Sequence, residues 1–229
     1  MRNLREYLWA ESPGDALRLL RECAGRGALL AGGTCLAVRD DPGLDFVVDL
    51  GRLGLDRIEA DPCDLVLPCC LVLETRALVL ASPASVPEWV PLESALAPRA
   101  NPALLLGIEI APSPRTGFAL ECLSRSELDS PLAAIAAAVE CDSGRMRSVR
   151  VATSGVDQVP RRARHAEAAL LGRTPDAETF GAAQAALEDD MSPRGDHRAS
   201  AEYRAHLARV LLSRALRRAV ESAGEASTR

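Results

Sequence analysis

Ala28-Leu29-Leu30-Ala31-Gly32-Gly33-Thr34-Cys35, followed by Phe46-Val47-Val48-Asp49-Leu50-Gly51, is the stretch that decides the fold of the first half of the chain. Ala28 to Leu30 is a short apolar run between glycines, which predicts strand and not helix. Phe46 to Leu50 reads as a second, buried strand, with β-branched and aromatic residues and Gly51 to stop it. Upstream, Ser12-Pro13-Gly14-Asp15 has the make-up of a helix start: a hydroxyl cap, a proline in the first turn and an acid near the exposed N–H groups. Ala16, Leu19, Leu20 and Cys23 then share a helical face, and Gly25 and Gly27 end it. Helix, strand, Gly-rich turn and strand make a compact α/β unit.

The turn carries the one chemically suggestive pattern. A Gly-Gly pair directly after a buried strand lets the backbone turn tightly and lets successive N–H groups converge on an anion with no Cβ in the way. Thr34 adds a hydroxyl able to donate to a phosphate oxygen. Such a nest suits phosphate or pyrophosphate, although a lone Gly-Gly pair is more often a structural turn. No named nucleotide motif accompanies it. Gly25-Arg26-Gly27 opens a dinucleotide-type pattern, but Leu30 stands where the third glycine belongs, and a chain without Lys has no P-loop.

Composition bounds the rest. A chain of 229 residues with 48% hydrophobic content is enough for two modest domains. The net charge is -5, and the 27 basic residues, all Arg, are spread along the chain. That leaves no electrostatic footprint for nucleic acid. No apolar run approaches the roughly 20 residues that span a bilayer. The start, Met1-Arg2-Asn3-Leu4-Arg5-Glu6, lacks the apolar region of a secretory signal, so a cytoplasmic location without membrane contact is expected. Seven Cys without C-x-x-C pairs predict reduced, mostly buried thiols instead of a disulfide framework or metal site.

Prolines punctuate the segment from Asp61 to Asn101, where Leu65 to Leu67 reads as strand and Leu71 to Leu80 as helix. From Leu104 onward, Leu104 to Ile110, Gly117 to Leu123, Leu132 to Val139 and Met146 to Thr153 are spaced as an antiparallel sheet. The third run is rich in Ala, yet Pro131 before it and Asp142-Ser143-Gly144 after it favour strand. Helices follow over Arg162 to Leu171, over Pro175 to Asp189 with Thr174 as cap, and over Ser200 to Ser222. In the last, Tyr203, Leu207, Val210, Leu211 and Leu216 lie toward one side. His165, His197 and His206 are expected at the solvated surface, as are Glu188-Asp189-Asp190 and the Arg161, Arg162, Arg164 group. No catalytic acid, base or nucleophile and no metal ligand set emerges.

These landmarks resemble a family. Tyr7, the helix Pro13 to Cys23, Leu29 to Leu36 and Val47-Val48-Asp49-Leu50-Gly51 look like the start of the flavoprotein, or medium, subunit of molybdenum hydroxylases such as carbon monoxide and xanthine dehydrogenases. Leu123 to Leu132, Val149-Arg150-Val151-Ala152, Pro160-Arg161-Arg162-Ala163, Ala166 to Gly172 and Ala201-Glu202-Tyr203-Arg204 are similar to successive landmarks of that family's C-terminal domain. The resemblance implies an α+β fold in two domains. Residues 1–103 would be a PCMH-type FAD-binding domain and residues 104–229 an antiparallel sheet with helices, like the CO dehydrogenase flavoprotein C-terminal domain. It further implies FAD, its pyrophosphate held against Leu30, Ala31, Gly32, Gly33, Thr34 and Cys35. Electrons would arrive from a [2Fe–2S] small subunit and leave to an external acceptor, with substrate chemistry at molybdopterin in a large subunit. The family's second flavin motif, a Thr-Ile-Gly-Gly-Asn type loop, has no counterpart here, and the segment from Asp61 to Asn101 is several dozen residues short. The first domain is therefore a truncated version of the family's, and a flavin-free assembly subunit is the alternative.

Overall fold

The helix expected after Ser12 forms as α1 (Pro13–Glu22), following β1 (Glu6–Trp9). The Ser12 side chain accepts from the Asp15 amide at 3.1 Å, which satisfies one of the first-turn N–H groups. The computed structural model describes residues 4–23, 26–31, 44–55, 67–96, 103–110, 116–125 and 131–226. β2 (Gly27–Leu30) and β3 (Phe46–Asp49) follow as expected. β3 lies centrally and pairs in parallel with both β1 and β2. Leu8, Leu29 and Val48 face α1 and share a core with Ala10, Ala16, Leu17 and Leu50.

After β3 comes the short helix α2 (Leu67–Val72), then β4 (Arg76–Leu80), β5 (Glu88–Pro91), α3 (Leu92–Leu96) and β6 (Leu104–Glu109). The expected helix over Leu71 to Leu80 is thus two elements: the end of α2 and the strand β4. Between them Glu74 adopts a left-handed backbone, φ 54°, which breaks the run. Leu67 belongs to α2 and not to a strand, while Leu65 and Val66 lie outside the described residues. β4 pairs antiparallel with β5 and β6. β6 therefore completes a three-stranded sheet with β4 and β5 and does not begin the C-terminal sheet.

The chain divides into two units, Met1–Cys63 with Arg76–Glu109, and Asp64–Thr75 with Ile110–Arg229. The second is built on an antiparallel sheet of β7 (Gly117–Leu123), β8 (Ala133–Asp142), β9 (Arg145–Ser154) and the two-residue β10 (Arg161–Arg162). The Ala-rich segment is strand, as its flanking turns indicated. Ser143 and Gly144, with φ of 51° and 75°, make the tight β8–β9 turn. Helices α4 (Arg164–Leu170), α5 (Ala177–Ala186), with a 3₁₀ turn Leu187–Asp190, and α6 (Ala201–Ala226) complete the unit. The cap of α5 is Asp176, whose carboxylate accepts from the Thr179 amide at 2.8 Å, whereas Thr174 donates its hydroxyl to Asp176.

Residues 133–139 of β8 are all buried, so both faces of this strand are covered. Ile135, Ala137 and Val139 join Leu170, Leu187, Leu211, Leu212 and Leu216 in the larger core. Alternate residues Ala134, Ala136 and Ala138 face the opposite side, the side on which α2 packs against β8 and β9. In α6 the buried stripe runs Arg204, Leu207, Ala208, Leu211, Leu212, Ala215, Leu216, Ala219, and Tyr203 points to solvent instead of into the core. α6 lies so close to β7 that a Cβ on Gly117 would meet the Ala219 carbonyl and the Ala223 amide, with the Ala223 Cβ at 2.6 Å. Gly117→Ala is expected to lower stability by about 1–3 kcal/mol through overpacking. Urea unfolding should show a lower midpoint at unchanged slope.

Candidate functional site

The carboxyl ends of parallel strands are where open α/β sheets place ligands, because loops leave there and no strand closes them. In the first unit, Trp9, Asp49 and Leu30 end β1, β3 and β2 in one register. The Leu30 carbonyl accepts from the Leu50 amide at 2.9 Å and the Asp49 carbonyl from the Ala10 amide at 3.2 Å. The Asp49 carboxylate is buried and accepts from the Tyr7 hydroxyl and, at 2.6 Å, from the Gly51 amide. Both oxygens are thereby satisfied. Beside it the Arg52 guanidinium carbon lies 4.3 Å from the centre of the Trp9 ring. Tyr7 and Trp9, 44% and 43% exposed, have ring centroids 5.2 Å apart. This edge offers a cation, an aromatic surface and a carboxylate that is already hydrogen-bonded.

Of the residues expected at the pyrophosphate, Leu30 is the half-buried last residue of β2 and Ala31 is exposed just beyond it. Gly32, Gly33, Thr34 and Cys35 lie outside the described residues. The sequence reading passed over Trp9 and Arg52, although each stands at or just past a strand end. Cys23, Cys69 and Cys70 are buried as expected, while Cys122 is exposed. Among the described residues no group of three or more His, Cys, Asp and Glu side chains is placed to hold a metal. Nor is any described helix long and apolar enough to cross a membrane.

A small parallel sheet with one helix, a three-stranded antiparallel sheet, and a four-stranded antiparallel sheet faced by a long helix define an α+β class. Residues 118–219 match the CO dehydrogenase flavoprotein C-terminal domain. Over 118 residues the chain is 35% identical to the carbon monoxide dehydrogenase medium chain of Afipia carboxidovorans strain OM5, a match spanning 51% of this chain and 41% of that one. Among solved structures, a CO dehydrogenase from Hydrogenophaga pseudoflava superposes with a TM-score of 0.78 at 21% identity, covering 96% of this chain and 98% of that one. Quinoline 2-oxidoreductase from Pseudomonas putida 86 does so with a TM-score of 0.69 at 18% identity, covering 97% and 98%. These findings support the resemblance: residues 118–219 form a domain of the CO dehydrogenase flavoprotein C-terminal type, and the chain is similar to the medium chain of carbon monoxide dehydrogenase over about half its length.

Within the matched segment the buried charges are structural. Arg162, expected at the surface, has a side chain only 8% exposed and donates to Glu167 at 2.5 Å. Glu167 also accepts from the Val151 amide at 2.9 Å, tying α4 to β9. Asp190, expected at a solvated helix end, is buried and accepts from the His165 and Ala166 amides, both at 3.0 Å. It therefore caps the start of α4 from a distant part of the chain. His165 itself is exposed, its Nδ1 2.8 Å from Asp190. Arg204 is buried and donates to the carbonyls of Leu132 at 2.7 Å and Gly155 at 2.6 Å, and to Asp196 at 2.7 Å.

Burial by itself would raise the Asp196 carboxyl. Hydrogen bonds from the Arg198 amide, the Arg204 and Arg198 guanidinium groups and the Ala199 amide outweigh it and hold the group well below the usual carboxylate range. A depressed folded-state value stabilises fully above the ordinary carboxylate value of about 3.9, and that stabilisation is lost as pH falls below it. Asp196→Asn is accordingly expected to flatten the decline of thermal unfolding midpoint on acidification below about pH 4. Scans of both proteins from neutral pH into that range check it.

Proposed function

We propose that this chain is an FAD-binding, electron-transfer subunit of a molybdenum hydroxylase-type complex. It takes electrons from a [2Fe–2S] small subunit and passes them to an external acceptor, while substrate is oxidised at molybdopterin in a large subunit. The observation that carries this reading is the 35% identity over 118 residues to a carbon monoxide dehydrogenase medium chain. Because that match spans 41% of the relative, the activity and the partner subunits are part of the proposal. On this proposal a shortened flavin-binding domain, expected over residues 1–103, precedes a C-terminal domain, expected over 104–229, and the pairing of β6 with β4 supports moving the boundary between them to Glu109. The complex works in the cytoplasm.

The described part of the site supports this reading. A diphosphate needs donors and no competing carboxylate, and the buried carboxylate of Asp49 at this edge is engaged by Tyr7 and Gly51. Leu30, Ala31, Gly32, Gly33, Thr34 and Cys35 hold the pyrophosphate, chiefly through main-chain N–H groups. Bound flavin supplies reversible electron transfer, and this chain's residues bind and orient it. A flavin-free assembly subunit is the second reading, favoured by the absence of any Thr-Ile-Gly-Gly-Asn type loop from the sequence.

Purified protein is expected to show flavin absorbance, or to acquire it on titration with FAD, and Gly33→Val is expected to abolish it by placing a branched side chain in the nest. A colourless wild-type protein indifferent to added FAD, yet recovered in complex with its partner subunits, would establish the second reading instead.

A further inference from the structure

Trp9 lies on the face of its sheet away from α1, with its ring against that of Tyr7. It lies on the outer strand β1, alternating with Leu8, which faces the core, and it leaves 43% of its surface to solvent. Arg52 sits over its ring at 4.3 Å and contributes no described ion pair. Tyr7, by contrast, is tied down through its hydroxyl to Asp49. An exposed tryptophan under a guanidinium that makes no ion pair among the described residues stands here at the carboxyl ends of parallel strands.

We propose that Trp9 and Arg52 bind the adenosine half of the dinucleotide, the adenine stacking on the Trp9–Arg52 pair and the guanidinium edge donating to a phosphate oxygen. This rests on the FAD reading above and assigns residues that the loop after β2 does not include. Trp9 shares its register level with Leu30, two strands away, so the separation is about 10 Å at the usual strand spacing. That is within reach of a nucleoside extending from a diphosphate held beyond Leu30. A guanidinium over an indole face directs its N–H donors outward in its own plane, where they can make bidentate contact with phosphate. Purines stack on aromatic faces without needing a hydrogen-bond code, which suits a surface whose described features are an exposed indole and a guanidinium. Trp, Tyr and Arg together also make protein-binding hot spots. The position at the carboxyl ends of parallel strands favours the nucleotide.

The chain has two tryptophans, so Trp89→Phe leaves Trp9 as the sole indole reporter. In that background ADP is expected to quench the Trp9 fluorescence with saturation. Trp9→Ala is expected to weaken FAD and ADP binding about tenfold, with most of the affinity retained in Trp9→Phe. Arg52→Ala is expected to weaken both and to reduce the salt dependence of binding. FMN, which lacks the adenosine half, should be indifferent to Trp9→Ala. Circular dichroism of each variant should match wild type, since both side chains are exposed. FAD binding that survives Trp9→Ala and Arg52→Ala unchanged, or ADP that leaves Trp9 fluorescence untouched, would overturn this inference while leaving the flavin reading intact. If wild type binds neither FAD nor ADP, both fall. If Trp9→Ala spares FAD but releases the partner subunits, the corner is a protein contact and the inference is wrong.

Discussion

Leu30, Asp49 and Trp9 end at one level because β3 is bonded in parallel on both sides, and everything at the candidate site depends on that double ladder. The side-chain period of a strand is two, so a slip of one residue in either pairing exchanges the faces of the outer strand. Slipping β1 would carry Leu8 out of the core it shares with Val48 and Leu17 and drive Trp9 into it. Register is therefore set by the burial of Leu8, Leu29 and Val48 against α1. The Ser12 cap and the Asp15 carboxylate anchor α1 in turn. The site geometry is inherited from hydrophobic burial on the sheet's opposite face.

The second unit solves a different problem with different residues. A strand covered on both faces has no solvent side on which to be polar, and β8 answers with small side chains: Ala134, Ala136 and Ala138 toward α2, and Ile135, Ala137 and Val139 toward the helical layer. Small residues and a glycine at 117 let helices approach closely, so packing leaves little tolerance for added methyls. Three charges buried in this unit satisfy main-chain groups that tertiary structure would otherwise strand. Arg204 gathers the Leu132 and Gly155 carbonyls, Glu167 the Val151 amide, and Asp190 the first amides of α4. They act as caps and ties between elements distant in sequence, and buried polar groups persist only when so satisfied.

Elements whose cues are local were legible from the sequence. α1 carries its cap in Ser12, and the β8–β9 hairpin carries its turn in Ser143-Gly144, strongly enough to override the helix propensity of the alanines. Elements decided by distant contacts were not. The run from Leu71 to Leu80 contains neither Gly nor Pro, and its break at Glu74 is a left-handed residue with an ordinary side chain, bonded to Arg150 at 2.7 Å. Asp190 looked solvated because its partners, the amides of residues 165 and 166, lie about two dozen positions away in sequence. Arg204 took the buried place that Tyr203 was expected to hold, because three acceptors converge there, which no periodicity reveals. At the site, the Gly-Gly loop was conspicuous and the Trp9–Arg52 pair was not. Their proximity depends on the parallel pairing of β1 with β3 across some forty residues.

The shortened middle segment bears most directly on what the first unit binds. From Leu55 to Leu106 the sequence contains no glycine, and a nest of converging amides needs left-handed backbone that glycine supplies at least cost. The described left-handed residue in that stretch is Glu74, whose carboxylate is engaged by Arg150. The described residues of the segment build β4, β5 and α3 and send α2 to the second unit's sheet. A second glycine loop is thus missing from the segment as chemistry, and the described strands are committed to other packing. Under the proposed flavin reading, a dinucleotide would draw its affinity from the carboxyl edge of β1, β3 and β2. On that proposal recognition would shift from a two-sided cradle toward one edge of the sheet, where the aromatic, cationic corner beside β1 lies. That constraint is why a residue pair outside any glycine motif carries weight in reading this protein.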